Sequence, residues 1–570
     1  MPTQQTLNTA IPKNTLRSLK ILIIDDQRVA ATMLKNVLGR IGVQDITISL
    51  NYEHAINKCC QHVYDILFVD YHLDGILNGS ELISLLRRRK HISPHCGIIM
   101  ISGDRSTEVI LTSLSVEPDS FITKPVTIEM VRRNLTATLN TCALRAPIYN
   151  AIESDGITKA ISVCKQQLKQ SGYHKKIEGL LLDLMIKDNQ WQQVKTYSDI
   201  LERRNPSPIL GLIQAKYEHH HGKTTAAIHI LEKQIAISPL NIDLYDQLAC
   251  YLEQNKQYYD ALDIAKKALK LTPSISHRAL KVAELAANLE QIDVLATTGT
   301  TLANHLPIID VGWIICFAEY IAIFEKAYFK NHSITFRHKL KQQLAIISNK
   351  AHARILPSQQ PFFTSYSHII TARLALGNGQ TLKAKRRLLI GLSTYFDQIS
   401  CLPSVMLADA LPVLIHFGET QLIAEFNRTL ANRDQFDPHS ESRLKDIRDN
   451  AVIINSVQSV EVQLANSYQQ LQQAPSAAMA IYEAIIDAYP LCSEANLGRL
   501  ECMITLNLVD NKKLKHSLQA IASMPLPDQQ SQWRDRLFDI MATQLVTPQQ
   551  VSLALPYKKR TQQFRLTYSS

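Results

Sequence analysis

The chain has 570 residues, a net charge of +10, 18 glycines and ten cysteines without Cys-x-x-Cys spacing. The length predicts several structural units, the few glycines argue against an all-β protein, and the cysteines are typical of reduced thiols in the cytoplasm. Residues 1–18 have no apolar core of a signal peptide and are expected to form a disordered tail, and Val311–Phe324 is too short to cross a membrane. We therefore expect a cytoplasmic protein without membrane contact.

Four short apolar runs in the first quarter of the chain each end in polar residues. The runs are Ile21–Ile24, Ile66–Val69, Ile98–Ile101 and Phe121–Thr123. Helical patterns separate them, which predicts a doubly wound α/β fold with a parallel sheet. The carboxyl ends of parallel strands open on one edge, so the residues after the runs should meet there. Those residues are Asp25, Asp26, Asp70, Ser102 and Lys124.

These residue types indicate phosphoryl chemistry. Three crowded carboxylates repel one another unless a hard cation such as Mg²⁺ lies among them. Lys124 offers a second positive charge and Ser102 a hydroxyl donor. Asp70, placed centrally, is then the candidate nucleophile toward a phosphoryl group.

The order and spacing of these motifs resemble the CheY-like receiver domain of two-component response regulators, a flavodoxin-like fold, over residues 19–140. The resemblance implies that Asp26, Asp70 and the backbone carbonyl of His72 bind Mg²⁺, with Asp25 helping through water. It implies that Asp70 accepts a phosphoryl group from a histidine kinase or phosphotransfer protein, and that the domain catalyses only its own phosphotransfer and dephosphorylation. The resemblance implies that Ser102 and Phe121 are the switch residues, whose side chains move when the aspartate is phosphorylated. Tyrosine is more usual in the family than the phenylalanine at position 121.

Two other interpretations of the same residues remain open. Asp25 and Asp26 are suited to capping the helix predicted from Arg28 to Leu38, although Asp70, Ser102 and Lys124 at the neighbouring run ends favour a site. The domain could also be a degenerate receiver that acts as a scaffold without phosphorylation.

After residue 140 the strand-like runs stop and apolar residues recur at helical spacing. Pro239, Pro273 and Pro307 follow one another at intervals of 34 residues, with small and large residues at positions that resemble the tetratricopeptide repeat. Stacked repeats of this kind form an all-α solenoid with a groove that binds protein. The expected divisions are a linker helix at 141–170, repeats at 171–307, a helical region of unclear register at 308–454, further repeats at 455–555 and a basic tail at 556–570.

Repeat geometry directs four charged residues toward the predicted groove: Asp243, Asp246, Glu253 and Lys216. Their mixed charge favours a basic or mixed partner segment. We expect the groove to be the output surface of a phosphorelay response regulator.

A basic helical output that binds RNA or DNA is the alternative. The positive charge is spread thinly, and its clusters are short: Arg87–Lys90, Lys383–Arg387 and Lys558–Arg560. No helix-turn-helix pattern is evident, so nucleic-acid binding is disfavoured.

Overall fold

The computed structural model describes residues 13–73, 77–204, 208–508 and 510–543. The chain divides into two compact units, residues 1–309 and 310–570. Within the described ranges, no helix is both long enough and apolar enough to cross a membrane. The basic cluster Lys558–Arg560 and the predicted tail 556–570 lie outside the described residues, as does the pair Asp74-Gly75, which follows His72-Leu73 in the sequence.

The first unit begins with a five-stranded parallel sheet in the order β2-β1-β3-β6-β7. The strands are β1 Lys20–Ile24, β2 Asp45–Ser49, β3 Ile66–Asp70, β6 Gly97–Ser102 and β7 Ser120–Thr123; β4 His72–Leu73 and β5 Leu77–Asn78 form a separate hairpin. β3 and β6 are buried throughout, as continuous apolar strands of a two-sided sheet should be. The doubly wound parallel sheet is confirmed.

Five helices connect or cover these strands: α2 Arg28–Ile41, α3 Tyr52–Gln61, α4 Gly79–Arg88, α5 Thr107–Leu114 and α6 Ile128–Asp155. Alternate side chains of β1, β3 and β6 form one core with α2 and α6. Gly79 lets α4 begin directly against the end of β3, because a Cβ at that position would lie 2.2 Å from the Asp70 carbonyl oxygen.

The ends of this domain extend beyond its sheet. Residues 13–18 of the expected tail form a short helix, α1, whose Leu16 packs against the core. Helix α6 continues without interruption through residue 140 to Asp155, with Pro147 inside it. The same helix therefore contributes to the sheet core through Val131 and to the following helical core through Ile148.

Helix pairs follow to the end of the first unit. They are α7 Ile157–Ser171, α8 Lys175–Lys187, α9 Trp191–Arg204, α10 Pro208–His220, α11 Thr224–Ile237, α12 Ile242–Gln254, α13 Tyr258–Leu271, α14 Ser276–Asn288 and α15 Ile292–Asn304. The first helices of three successive pairs begin at 208, 242 and 276, which reproduces the 34-residue spacing of the prolines. Ala249, Ala261 and Ala265 are buried between paired helices, where small side chains permit close approach.

The second unit is also helical. Its helices are α16 Gly312–Lys330, α17 Ile334–Arg354, α18 Gln360–Gly377, α19 Thr381–Ser393, α20 Ser404–Phe417, α21 Thr420–Ala431, α22 Pro438–Arg448, α23 Ala451–Gln470, α24 Pro475–Ala488, α25 Ser493–Thr505, α26 Asn511–Ile521 and α27 Asp528–Thr543. Their lengths vary from 11 to 21 residues, and several of them bury charged side chains, among them Lys385, Asp409 and Arg534. This part of the chain is a helical-repeat arrangement without the strict spacing of the first unit.

Candidate functional site

The carboxyl ends of four neighbouring strands hold the predicted site residues. Asp25 and Asp26 follow β1, Asp70 ends β3, Ser102 ends β6 and Lys124 follows β7. The parallel registers of β1 with β3, β3 with β6 and β6 with β7 bring these ends to one edge of the sheet. The sequence therefore places the five polar residues together because the strands run the same way.

Lys124 lies between two of the carboxylates. Its Nζ is 3.0 Å from Asp70 Oδ2 and 3.2 Å from Asp25 Oδ2. The backbone N–H of Tyr71 donates to Asp70 Oδ1 at 3.0 Å, and that of Gln27 donates to Asp25 Oδ1 at 2.9 Å. Both carboxylates are thus oriented by two partners each and are almost completely buried.

Burial and charge act in opposite directions at this edge. Burial raises the pKa of Asp70 above its ordinary value, although the hydrogen bond and charge of Lys124 oppose the change. Burial alone would lower the pKa of Lys124, but its bonds to Asp70 and Asp25 outweigh it and the pKa is raised. Lys124 therefore remains a cation that favours the ionised, nucleophilic form of Asp70.

The three carboxylates fit a bound divalent metal. Asp25, Asp26 and Asp70 each offer an oxygen, and these oxygens lie within 4.8 Å of one another. Asp26 Oδ1 is buried and has no hydrogen-bond partner among the described residues. Among the described residues, Lys124 pairs with Asp25 and Asp70 but not with Asp26, so a hard cation would both balance the remaining charge and satisfy the orphaned oxygen.

His72 begins the hairpin strand β4, directly after the Asp70 turn. Its side chain is 61% exposed, and its Nε2 lies 3.8 Å from Asp104 Oδ2. The backbone N–H of Ser106 donates to Asp104 and lowers the pKa of that carboxyl, with a smaller contribution from His72. The carbonyl of His72 as a metal ligand stays a prediction.

The predicted switch residues differ in burial. Ser102 is fully buried, and its Oγ accepts a hydrogen bond from the backbone N–H of Asp104 at 3.1 Å. Phe121 is only partly buried, on β7 opposite Met100. The inward turn of the Phe121 ring that the resemblance implies stays a prediction.

The predicted groove residues lie in different environments. Asp243 is exposed and Lys216 is half-buried. Asp246 accepts two hydrogen bonds from the Arg278 guanidinium, the shorter at 2.7 Å, and it lines a cavity of about 250 Å³. Glu253 pairs with Lys281 at 2.5 Å. Two of the four charges are thus neutralised within the chain, and their role toward a partner stays a prediction.

Two residues beside the site were not singled out from the sequence. Burial raises the pKa of Tyr71, which follows Asp70, to about 12, and the side chain of Thr112 on α5 opposes the rise. Thr112 is itself 2% exposed although it carries a polar side chain. A polar residue in the apolar pattern of α5 is the only sequence signal for this contact, and it does not identify the partner.

Comparison with known proteins identifies the N-terminal domain. Residues 21–136 match the family model of the response regulator receiver domain. CheY1 of Helicobacter pylori is 25% identical over 127 residues, which are 22% of this chain and 98% of that protein. CheY of Bacillus subtilis is 27% identical over 124 residues, 21% of this chain and 98% of that protein.

A longer relative and a solved structure match the same part of the chain. PhoP of Bacillus subtilis, the alkaline phosphatase synthesis transcriptional regulatory protein, is 31% identical over 129 residues, 22% of this chain and 51% of that protein. The CheY-like receiver domain protein of Methanospirillum hungatei is 25% identical, with a TM-score of 0.21, 22% of this chain covered and 98% of that chain. The family model over residues 21–136 therefore identifies a receiver domain of the response-regulator type at the N-terminus, and the match leaves the helical four-fifths of the chain unassigned.

Proposed function

We propose that this protein is a phosphorelay response regulator in which Asp70 takes a phosphoryl group and the helical region binds protein partners. The observation that supports it most is the meeting of Asp25, Asp26, Asp70, Ser102 and Lys124 at one sheet edge. Every group that the phosphotransfer needs from the receiver is present there. The donor is a histidine kinase or a phosphotransfer protein.

Each residue has a separate part in the transfer. Asp70 attacks the phosphorus with one carboxylate oxygen, and the bond from phosphorus to the donor nitrogen breaks. Mg²⁺ held by Asp26, Asp70 and the backbone carbonyl of His72, with Asp25 helping through water, would supply positive charge to the phosphoryl oxygens. Lys124, 3.0 Å from Asp70, and the Ser102 hydroxyl would donate hydrogen bonds to the same oxygens.

Protein is favoured over nucleic acid as the output ligand because two of the three basic clusters each have a member that is engaged within the chain. Arg87 donates to the carbonyls of Val116 and Glu117. Lys385 is completely buried and pairs with Glu419 at 2.8 Å. Repeated helix pairs with a 34-residue spacing are the architecture of protein-binding solenoids, and the tetratricopeptide-like identity of this region is part of the proposal.

Phosphorylation can be tested with acetyl phosphate and Mg²⁺ on the full chain. Intact-mass analysis should show one phosphoryl adduct, which Asp70→Asn abolishes and removal of Mg²⁺ by EDTA suppresses. Asp45→Asn is the matched control, because Asp45 is exposed at the opposite end of the sheet. A chain that gains no adduct, even from a kinase or phosphotransfer protein of its own cell, would establish the scaffold alternative.

A further inference from the structure

The second unit contains a cavity of about 730 Å³ lined by residues of α21, α23, α24, α25 and α27. Tyr468 and Trp533 form an aromatic wall, with their rings edge to face and their centroids 5.5 Å apart. Three side chains that carry acceptor oxygens, Glu461, Glu494 and Gln530, also line the cavity. A cavity of this size with an aromatic wall and a few polar groups is typical of a ligand-binding site.

The two carboxylates of this cavity have no cationic partner. Among the described residues, neither Glu461 nor Glu494 forms a salt bridge. Arg536 also lines the cavity, but its Nη2 donates to both carboxylate oxygens of Glu501, at 2.9 Å each. The cavity therefore carries negative charge that no paired cation balances within the part of the chain that the structure describes.

Glu494 is the carboxylate on which this imbalance acts most. Burial and the charge of Glu419 raise the pKa of Glu494 to about 6. Two uncharged donors oppose the rise: Gln530 Nε2 lies 3.1 Å from Glu494 Oε1, and the Thr420 hydroxyl lies 3.4 Å from Glu494 Oε2. A cation bound beside Glu494 would stabilise its ionised form more than these neutral groups do.

Gln530 provides an independent sign of a ligand. This side chain is 3% exposed, and its Nε2 donates to Gln421 Oε1 and to Glu494 Oε1, each at 3.1 Å. An ionised carboxylate only accepts hydrogen bonds, so the amide nitrogen must face Glu494. Gln530 Oε1 is then left buried without a hydrogen-bond partner among the described residues. A ligand that donates hydrogen bonds into the cavity would satisfy this oxygen and remove the cost of its burial.

We propose that this cavity binds a guanidinium group, carried by an arginine side chain of a protein partner. We call it the guanidinium pocket and define it by Glu461, Tyr468, Glu494, Gln530 and Trp533. The inference rests on the proposed binding of protein by the helical region and names the chemistry of one partner group. It does not depend on phosphorylation of the receiver.

The polar groups of the pocket suit a guanidinium group better than an ammonium group. Glu461, Glu494 and Gln530 Oε1 all require donors, and a guanidinium group has five N–H donors in one plane and no acceptor. Its flat face also stacks on aromatic rings such as that of Trp533, whose N–H is held by Glu501. An ammonium group would match the charge, but it is a point charge that is more strongly hydrated and cannot stack.

The size and exposure of the pocket favour an arginine within a protein segment. A cavity of about 730 Å³ is several times larger than one guanidinium group, so neighbouring residues of a peptide can enter with it. Tyr468 is 62% exposed and Glu461 is exposed as well, which places part of the pocket at the protein surface. A bound segment could cover Tyr468 while its arginine reaches Glu494 and Gln530.

Isothermal titration calorimetry of the full chain with three blocked pentapeptides tests the pocket, at about pH 7.5 where Glu494 is ionised. Each peptide has one central residue between glycines and serines: arginine, lysine, or citrulline, the uncharged isostere of arginine. The arginine peptide should bind about tenfold more tightly than the citrulline peptide and about threefold more tightly than the lysine peptide, because only guanidinium combines charge with a planar set of donors.

Three results would contradict the assignment. Equal affinity for the arginine and citrulline peptides, or no binding of either, overturns the pocket. Equal affinity for the arginine and lysine peptides overturns the choice of guanidinium. Free arginine that binds as tightly as the arginine peptide overturns the assignment to a protein segment and makes the ligand a small molecule.

Two variants tie peptide binding to the pocket. Glu461→Gln removes an exposed carboxylate and Glu494→Gln a buried one, and each should weaken binding of the arginine peptide about tenfold. Asp446→Asn is the matched control, because Asp446 is exposed on α22 and does not line the cavity. Circular dichroism checks that each variant stays helical, and Glu461→Gln keeps the test valid if Glu494→Gln unfolds. Wild-type affinity in Glu461→Gln and in Glu494→Gln would overturn the pocket.

A pull-down from the source cell distinguishes failure of the pocket from failure of the proposed function. A chain that binds no arginine peptide but captures protein equally well as wild type and as Glu461→Gln loses only the guanidinium pocket. A chain that binds no peptide and captures no protein loses the proposed protein binding of the helical region as well.

Discussion

The receiver edge and the buried cluster around Asp409 both place carboxylates beside cations, but their charge balance differs. At the receiver edge, Lys124 is the one ammonium group among three carboxylates, and Asp26 Oδ1 lacks a partner within the described residues. In the second unit, the Asp409 cluster consists of Glu325, Tyr366, Arg373, Asp409, His439 and Arg443. Its two carboxylates face two guanidinium groups and a histidine.

This difference in charge balance distinguishes a site that can bind a cation from a cluster that holds helices together. In the Asp409 cluster, carboxylates and guanidinium groups are equal in number and pair with one another across four helices, so the network holds those helices together. An open edge with excess negative charge is stabilised only when a cation arrives. Buried charge alone therefore does not mark function in this chain, whereas uncompensated charge at a sheet edge does.

Removing a cation from the balanced cluster should have the largest effect on stability. Arg373→Met leaves Glu325 and Asp409 buried beside one fewer positive charge, which should destabilise the second unit by about 3–5 kcal/mol. Arg448→Met is the control, since the pair of Arg448 with Glu441 is about half exposed and should contribute under about 1 kcal/mol. Urea unfolding, localised by hydrogen exchange in residues 366–374, measures both. Equal midpoints for the two variants would contradict the comparison.

Adding a cation to the receiver edge should have the next largest effect. Mg²⁺ at about 100 times its dissociation constant should stabilise the receiver by about 2.7 kcal/mol. Exchange in residues 20–24 and 66–70 should slow accordingly, while residues 366–374 stay unchanged. Asp26→Asn should lose this response and Asp45→Asn should keep it; a response that survives Asp26→Asn would place the metal elsewhere.

The Asp409 cluster should also make stability depend on pH. Burial raises the pKa of Glu325 from 4.5 to about 7, so the folded chain binds this proton more tightly than the unfolded chain. The stabilisation is complete below about pH 4.5 and is lost as pH rises through about 7, which amounts to about 2 kcal/mol between pH 5 and 7.5. Denaturant midpoints of wild type should fall over this range.

Two variants isolate Glu325 from its neighbours. Glu325→Gln should flatten the fall in midpoint, while His439→Gln should retain it although His439 contacts Asp409 at 3.1 Å in the same cluster. A fall that disappears in His439→Gln and persists in Glu325→Gln would assign the titration to the histidine instead.

The meeting of Asp25, Asp26, Asp70, Ser102 and Lys124 at one sheet edge could be predicted from the sequence, because each of these residues lies at the end of an apolar run. β2 was missed because it is a sheet edge, where Ile46 and Ile48 are only partly buried and alternate with polar residues. The apolar cluster that joins Leu111 to Ile242 could not be predicted, since the two residues share no local pattern. The Asp409 cluster could not be predicted either, because its residues come from separate helices whose register the sequence does not reveal.

The smallest expected effect on the free energy of unfolding concerns Asp243 and Asp246, which lie less than one helical turn apart on α12. Asp243 is exposed, so Asp243→Lys should change the free energy of unfolding by less than about 0.5 kcal/mol. Asp246→Lys should cost several times more, because it places a second cation against Arg278, which is 6% exposed.

Asp243→Lys is then the variant that can test the predicted groove without disturbing the fold. If Asp243 faces a basic or mixed partner segment, partner binding should weaken in Asp243→Lys while the denaturant midpoint stays at the wild-type value. Affinity is measured by pull-down from the source cell. Unchanged affinity in Asp243→Lys would move the partner surface away from this part of the predicted groove.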